Sequence, residues 1–166
     1  MTVELITGPG EIDTSALGQL GPNNAAMMQA QMSVSAVPND NNKEVTDGFW
    51  IACDDALNEF LFVERVCRPN KKQVLQNQYV MINPRKKILY SEVAIPVQAG
   101  PGYVWVKAKL ENGTLYSKAW VGTEPSGWML TDPGVEMPGT GVTLTGTNQT
   151  STTVTHLFDA VKFSPK

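Results

Sequence analysis

Charge is scarce in this sequence: Asp, Glu, Lys and Arg make up 17% of the 166 residues, against roughly 25% in an average soluble protein. There is one histidine, His156, and two cysteines, Cys53 and Cys67. A Ser or Cys nucleophile usually needs a nearby histidine as base, and His156 lies in a Thr-rich stretch far from any glycine-flanked serine elbow. It reads as an ordinary strand residue. The cysteines have no second Cys or His pair, so neither a zinc knuckle nor a CxxC redox centre can be built. Both sit in apolar runs, which predicts buried free thiols. Residues 38–44 offer oxygen ligands, but without the glycine and terminal glutamate of a twelve-residue calcium loop. The Gly-Pro-Gly turns at Gly8 and Gly100 lack the Lys-Ser or Lys-Thr ending of a phosphate loop. Adjacent Asp54 and Asp55 would point to opposite sides of a strand and read as turn or capping groups. These absences predict a protein that is not an enzyme, with no cofactor and no metal.

No run approaches the roughly 18 apolar residues of a membrane-spanning helix. Thr2-Val3-Glu4 after Met1 shows no basic signal region, giving the expectation of a cytosolic product in which the sequons at Asn112 and Asn148 stay silent. Disorder throughout is excluded, because 42% of residues are hydrophobic and the net charge is only -3.

What charge there is falls in blocks. Residues 1–42 hold four acids and no cation, whereas Arg65 to Lys118 holds ten cations against Glu92 and Glu111. Acidic ends and a basic middle suit self-association or an acidic partner.

Turn formers divide the first 45 residues, predicting an extended N-terminal arm over 1–45 ahead of a β-domain over 46–166. Within the arm, Met28, Ala30, Met32, Val34 and Ala36 alternate with polar residues at the period of a half-buried strand, making Met28, Met32 and Val34 candidate assembly residues. Apolar, β-branched and aromatic runs at 49–53 and 59–67 read as buried strands, although Ala56, Leu57, Phe60 and Leu61 also fit a helix capped by Asp54 or Asp55. Further strands are predicted near 78–82, 87–97, 127–131, 141–147 and 152–163. This pattern predicts an all-β fold, a single β-sandwich or barrel-like domain.

Asn112-Gly113 is a preferred pair for a two-residue type I′ hairpin turn. That turn sets Glu111 opposite Thr114, Lys109 opposite Tyr116, Lys107 opposite Lys118 and Trp105 opposite Trp120. Val104, Val106, Ala108, Leu110, Leu115, Ala119 and Val121 take the core side, interrupted by Ser117. The other side carries Trp105, Trp120, Tyr116, Lys107, Lys109 and Lys118, a candidate partner-binding platform for a protein, a sugar ring or a base. Two lysines directly opposite repel unless water or an acidic group comes between them.

In its low-charge arm, small β-domain and Thr/Gly/Asn-rich segment over 139–155, the whole chain resembles, in texture, the accessory virion proteins of tailed bacteriophages. The resemblance implies a structural protein made in the host cytoplasm, self-associating or binding a capsid or tail surface through its arm. It carries over no individual functional residue. The alternative is a carbohydrate-binding β-sandwich using Trp105, Trp120 and Trp128. A third reading, a single-stranded nucleic-acid-binding barrel using Tyr103, Trp105 and Tyr116, is weakened by the acidity of the chain. No membrane partner is expected.

Overall fold

The computed structural model describes residues 1–38, 43–68, 72–98 and 103–166. The turn expected over 39–42, the Gly100-Pro101-Gly102 turn and Lys71 lie outside the described residues. Twelve strands run in chain order: β1 Val3–Thr7, β2 Ile12–Gln19, β3 Ala26–Val34, β4 Val45–Cys53, β5 Glu59–Cys67, β6 Lys72–Met81, β7 Lys86–Gln98, β8 Val104–Glu111, β9 Thr114–Trp120, β10 Leu130–Asp132, β11 Gly141–Asn148 and β12 Val154–Pro165. They form two six-stranded antiparallel sheets, the first ordered β1-β12-β3-β8-β9-β10 and the second β2-β11-β4-β5-β6-β7. Among the described residues there is no helix.

The sandwich core follows from period-two alternation. The first sheet turns Met28, Ala30, Met32, Val106, Leu110, Leu115 and Phe158 inward to meet Phe49, Ile51, Leu61, Val63 and Leu75 from the second. The expected arm is corrected by this packing: β1 pairs with β12, β2 with β11, and β3 lies between β12 and β8. Met28 and Met32 are core residues, and Val34 packs with Val45, Cys67 and Val154. Their alternation reflects a strand buried against its own domain, so these side chains are not free to grip a neighbour.

The hairpin register is as the turn chemistry predicts, with Asn112 and Gly113 both at positive φ and Trp105 opposite Trp120. Ser117, the polar interruption of the core side, donates to Asn77 Oδ1 at 2.6 Å. Asn77 in turn donates to Asp132 Oδ2 at 2.9 Å, joining the two sheets through polar groups. The β4–β5 connection is a turn instead of a helix, because Asp54 Oδ1 accepts from the backbone N–H groups of Asn58 and Glu59 at 2.7 and 3.1 Å. The basic block does not survive as one patch. Arg65 is fully buried and paired with Asp47, with Nε to Oδ1 at 2.8 Å, while Arg68 pairs with Glu44 and Glu92. His156 is buried, within 2.8 Å of Thr7 Oγ1, its ring filling the space that Gly146 leaves open.

Candidate functional site

Two outer faces hold the aromatic and polar groups a ligand could use. The first is the outward side of the β8–β9 hairpin. Trp105 and Trp120 stack there at 5.9 Å between centroids and 7° between planes, and Lys109 Nζ sits 4.4 Å above the Tyr116 ring. The segment 121–129 closes over this side. Glu124 Oε2 lies between the opposed lysines, 3.2 Å from Lys107 Nζ and 2.7 Å from Lys118 Nζ. Lys118 also donates to the Pro125 carbonyl at 2.7 Å. Trp128 comes within 5.6 Å of Tyr116 and 5.0 Å of Lys118 Nζ. The acid that a Lys–Lys pair requires is thus supplied by the chain itself, and hydrogen bonding from Lys118 holds the Glu124 carboxyl below its ordinary pKa. The structure brings all six predicted residues together, but leaves Trp120 and Lys118 buried. The internal partner Glu124 was not assigned from the sequence.

The second face is the outer side of the second sheet. Cross-strand pairing sets its side chains in rows. One row runs Thr143, Trp50, Phe62, Gln78, Leu89; the next runs Thr145, Gly48, Glu64, Gln76, Glu92. Phe60 and Val80 extend the first row's apolar end. Trp50 and Phe60 stack at 3.8 Å between centroids, and Phe62 meets both edge-on at 6.1 and 6.2 Å. These rings bury one another, and so make a stiff floor more than an open stacking platform. Gly48 keeps the floor low between Thr46 and Trp50, since a Cβ there would collide with the Val63 carbonyl.

Above this floor lies a groove of about 410 Å³. Gly10, Glu11 and Ile12 stand on one side, the β6–β7 turn with Ile82 and Arg85 and the start of β7 with Lys86 and Lys87 on another, and Glu44, Thr147 and Asn148 at one end. Ile12, Ile82 and Leu89 are exposed apolar groups around it.

Buried polar atoms normally find partners. Among the described residues four such side-chain atoms have none, and three of them lie on this sheet face: Trp50 Nε1 and Gln78 Oε1 on the groove floor, and Gln76 Oε1 in the neighbouring row. One is a donor and two are acceptors, a set complementary to hydroxyl groups, which both donate and accept. Beside them, burial pushes the Glu64 carboxyl up to about 7, with Lys87 and hydrogen bonds involving Gln78 and Thr46 pulling the other way and Glu44 adding to the rise. The pH 7 floor therefore carries a carboxyl shared between its neutral and charged forms. No group of three His, Cys, Asp or Glu among the described residues could hold a metal ion.

Sequence reasoning missed this groove, although a signal was present. In β5, Phe60 and Phe62 alternate with Leu61 and Val63, so both sides of the strand are apolar. One side of an outer layer in a two-sheet sandwich should face water, and an apolar pair there marks a covered or functional face.

No protein-family model and no curated protein sequence matches the chain. Solved structures do match it in fold. The carbohydrate-binding module CBM66 from Bacillus subtilis superposes with a TM-score of 0.62 at 6% identity, over 95% of this chain and 83% of that one. The CBM2 module of the evolved Dit of Lactobacillus casei BL23 phage J-1 gives 0.58 at 8% identity, over 90% and 66%. A Bacteroides ovatus mixed-linkage glucan GH16 protein, in complex with its product, gives 0.63 at 10% identity, over 98% and 80%. At these identities the likeness shows the β-sandwich fold alone.

Proposed function

We propose that the protein is a non-catalytic carbohydrate-binding module whose ligand lies in the groove on the outer face of the second sheet. The observation that carries this reading is the presence of unpartnered buried polar atoms on two residues of the groove floor, Trp50 Nε1 and Gln78 Oε1, with Gln76 Oε1 in the neighbouring row of the same sheet face. Sugar hydroxyls answer such a mixed donor and acceptor set, and apolar C–H faces of the same sugar fit beside Ile12 and Ile82 on the rims. The similarity to a carbohydrate-binding module and to a glucan-complexed protein of the same fold supports it. This takes up the alternative reading of the sequence and moves its site from the hairpin to the opposite sheet.

A non-catalytic role rests on the composition of the floor. Glycoside hydrolysis ordinarily needs two carboxyl groups flanking the scissile bond. Of the carboxyl groups lining the groove, Glu64 is buried in the floor, Glu44 is engaged by Arg68 at 3.0 Å and Glu11 accepts the Gly8 N–H.

The test is binding to a glycan array, comparing the native protein with Trp50→Phe, which removes the indole donor, and Gln78→Ala. Binding by the native protein that falls about tenfold in each variant, with unchanged circular dichroism, is the expected result. Equal binding by folded variants would place the ligand elsewhere, and absence of binding to any glycan would overturn the reading.

The similarity to a phage Dit module favours a virion as the setting for such a protein. In that setting it would attach to a tail or capsid surface and present the groove to a host glycan. Co-purification with intact particles tests this; its absence from particles would remove the virion setting and leave the groove's role untouched.

A further inference from the structure

Charge around the groove is unevenly committed. Among the described cations, Arg65, Arg68, Lys107, Lys109 and Lys118 all sit in ion pairs. Arg85, Lys86 and Lys87 sit in none, as do Lys43, Lys162 and Lys166, but only the first three line the groove, from the end of the β6–β7 turn and the start of β7. None of the described acids near them forms an ion pair with them. Glu44 is held by Arg68 at 3.0 Å, and Glu92 is shared between Arg68 at 3.1 Å and Gln76. Glu11 Oε1 accepts the Gly8 N–H in its own turn. Glu64 lies below on the floor, where burial favours its neutral form and Lys87 its charged one.

We propose that the groove takes a negatively charged glycan, with sugar hydroxyls on Trp50 and Gln78 and the anionic substituents on Arg85, Lys86 and Lys87. This rests on the carbohydrate-binding reading and deepens it by naming the class of sugar. Two independent features point the same way. Three unpaired cations on one rim attract an anion, and the unpartnered donor and acceptor beneath them demand a ligand that also hydrogen-bonds as an alcohol. A simple polyanion satisfies only the first, and a neutral sugar only the second. The chain as a whole is acidic, with a net charge of -3, so attraction to an anion has to come from this rim and not from the overall charge.

The experiment uses the full chain and a matched pair of polymers, polygalacturonate and its methyl ester, which differ only in whether the carboxyls are charged. Chondroitin sulfate tests sulfate as the anionic group, dextran a neutral glycan and polyglutamate a polyanion without sugar. Binding is read by affinity electrophoresis or calorimetry, at low and moderate salt. The proposal expects at least tenfold tighter binding to an acidic glycan than to the methyl ester and dextran. It also expects that preference to weaken with salt and to be lost in Arg85→Gln/Lys86→Gln, which alters only exposed residues at the turn and the start of β7. Preference for polygalacturonate or for chondroitin sulfate identifies carboxylate or sulfate as the group recognised. Equal binding to the methyl ester, or an unchanged double variant, overturns the acidic-glycan proposal and leaves the carbohydrate reading intact. Equal binding to polyglutamate reduces the rim to a general polyanion surface and also overturns it. Failure to bind any of the glycans, charged or neutral, here and on the array overturns both.

Discussion

Replacing Glu64 by glutamine should make the protein more stable at alkaline pH and leave it unchanged in acid. The carboxyl is buried on the groove floor, and desolvation raises its pKa from an ordinary 4.5 to about 7. Below pH 4.5 the group is protonated in folded and unfolded chains alike, and glutamine is a close mimic. Between 4.5 and 7 the folded state keeps a proton that the unfolded chain has released, so native stability falls as pH rises, by about 1.4 kcal/mol per pH unit. The full deficit, about 3 kcal/mol, is present above pH 7, and glutamine removes it. Urea unfolding of both proteins at pH 4, 5.5, 7 and 8.5, followed by tryptophan fluorescence, gives the difference directly. Other titrating groups are common to both proteins and cancel. A difference that stays flat with pH, or that favours the native protein at pH 8.5, would refute a buried, proton-retaining Glu64.

Removing one member of the enclosed Arg65–Asp47 pair leaves a guanidinium in the core with Gln73 as a remaining partner. Asp47→Ala should therefore cost about 3–5 kcal/mol in urea unfolding, and a loss below about 1 kcal/mol would show that water reaches the site. Glu124→Gln should restore repulsion between Lys107 and Lys118, lowering stability by up to about 1 kcal/mol at low ionic strength; a loss that does not shrink in added salt would contradict an electrostatic origin. Burial lifts the thiols of Cys53 and Cys67 to about 12 and about 11, so neither should react with a disulfide reagent at pH 8 until denaturant is added, and rapid reaction in the native state would show an opening that the packing does not allow.

The β8–β9 hairpin was the most legible element because its information is local. Two adjacent residues with positive φ, Asn112 and Gly113, fix the turn, the turn fixes the register, and period-two alternation then assigns each side chain to a face. The alternation of β3 was equally readable, but what lay against it was not. Without a partner strand in view, a low-charge segment with many turns looks like an arm; the structure inserts it between β12 and β8. The charge blocks misled for a related reason, since Arg65, Arg68 and the hairpin lysines fall in one basic block of the sequence yet belong to different sheets.

The sequence by itself determined the all-β class, the turn-driven hairpin, the buried free thiols and the strand character of His156, because each rests on chemistry within a few residues or on a short period. Tertiary structure alone decided that β1 and β2 complete the edges of two different sheets, and that Glu124 settles the facing lysines. It also decided that Trp50, Glu64 and Gln78 share one groove floor with Arg85–Lys87 on its rim. These are choices among distant partners. A strand's side-chain period says which residues share a face, whereas which strand lies alongside, and whether that face is covered, is decided only when both sheets pack and their loops close.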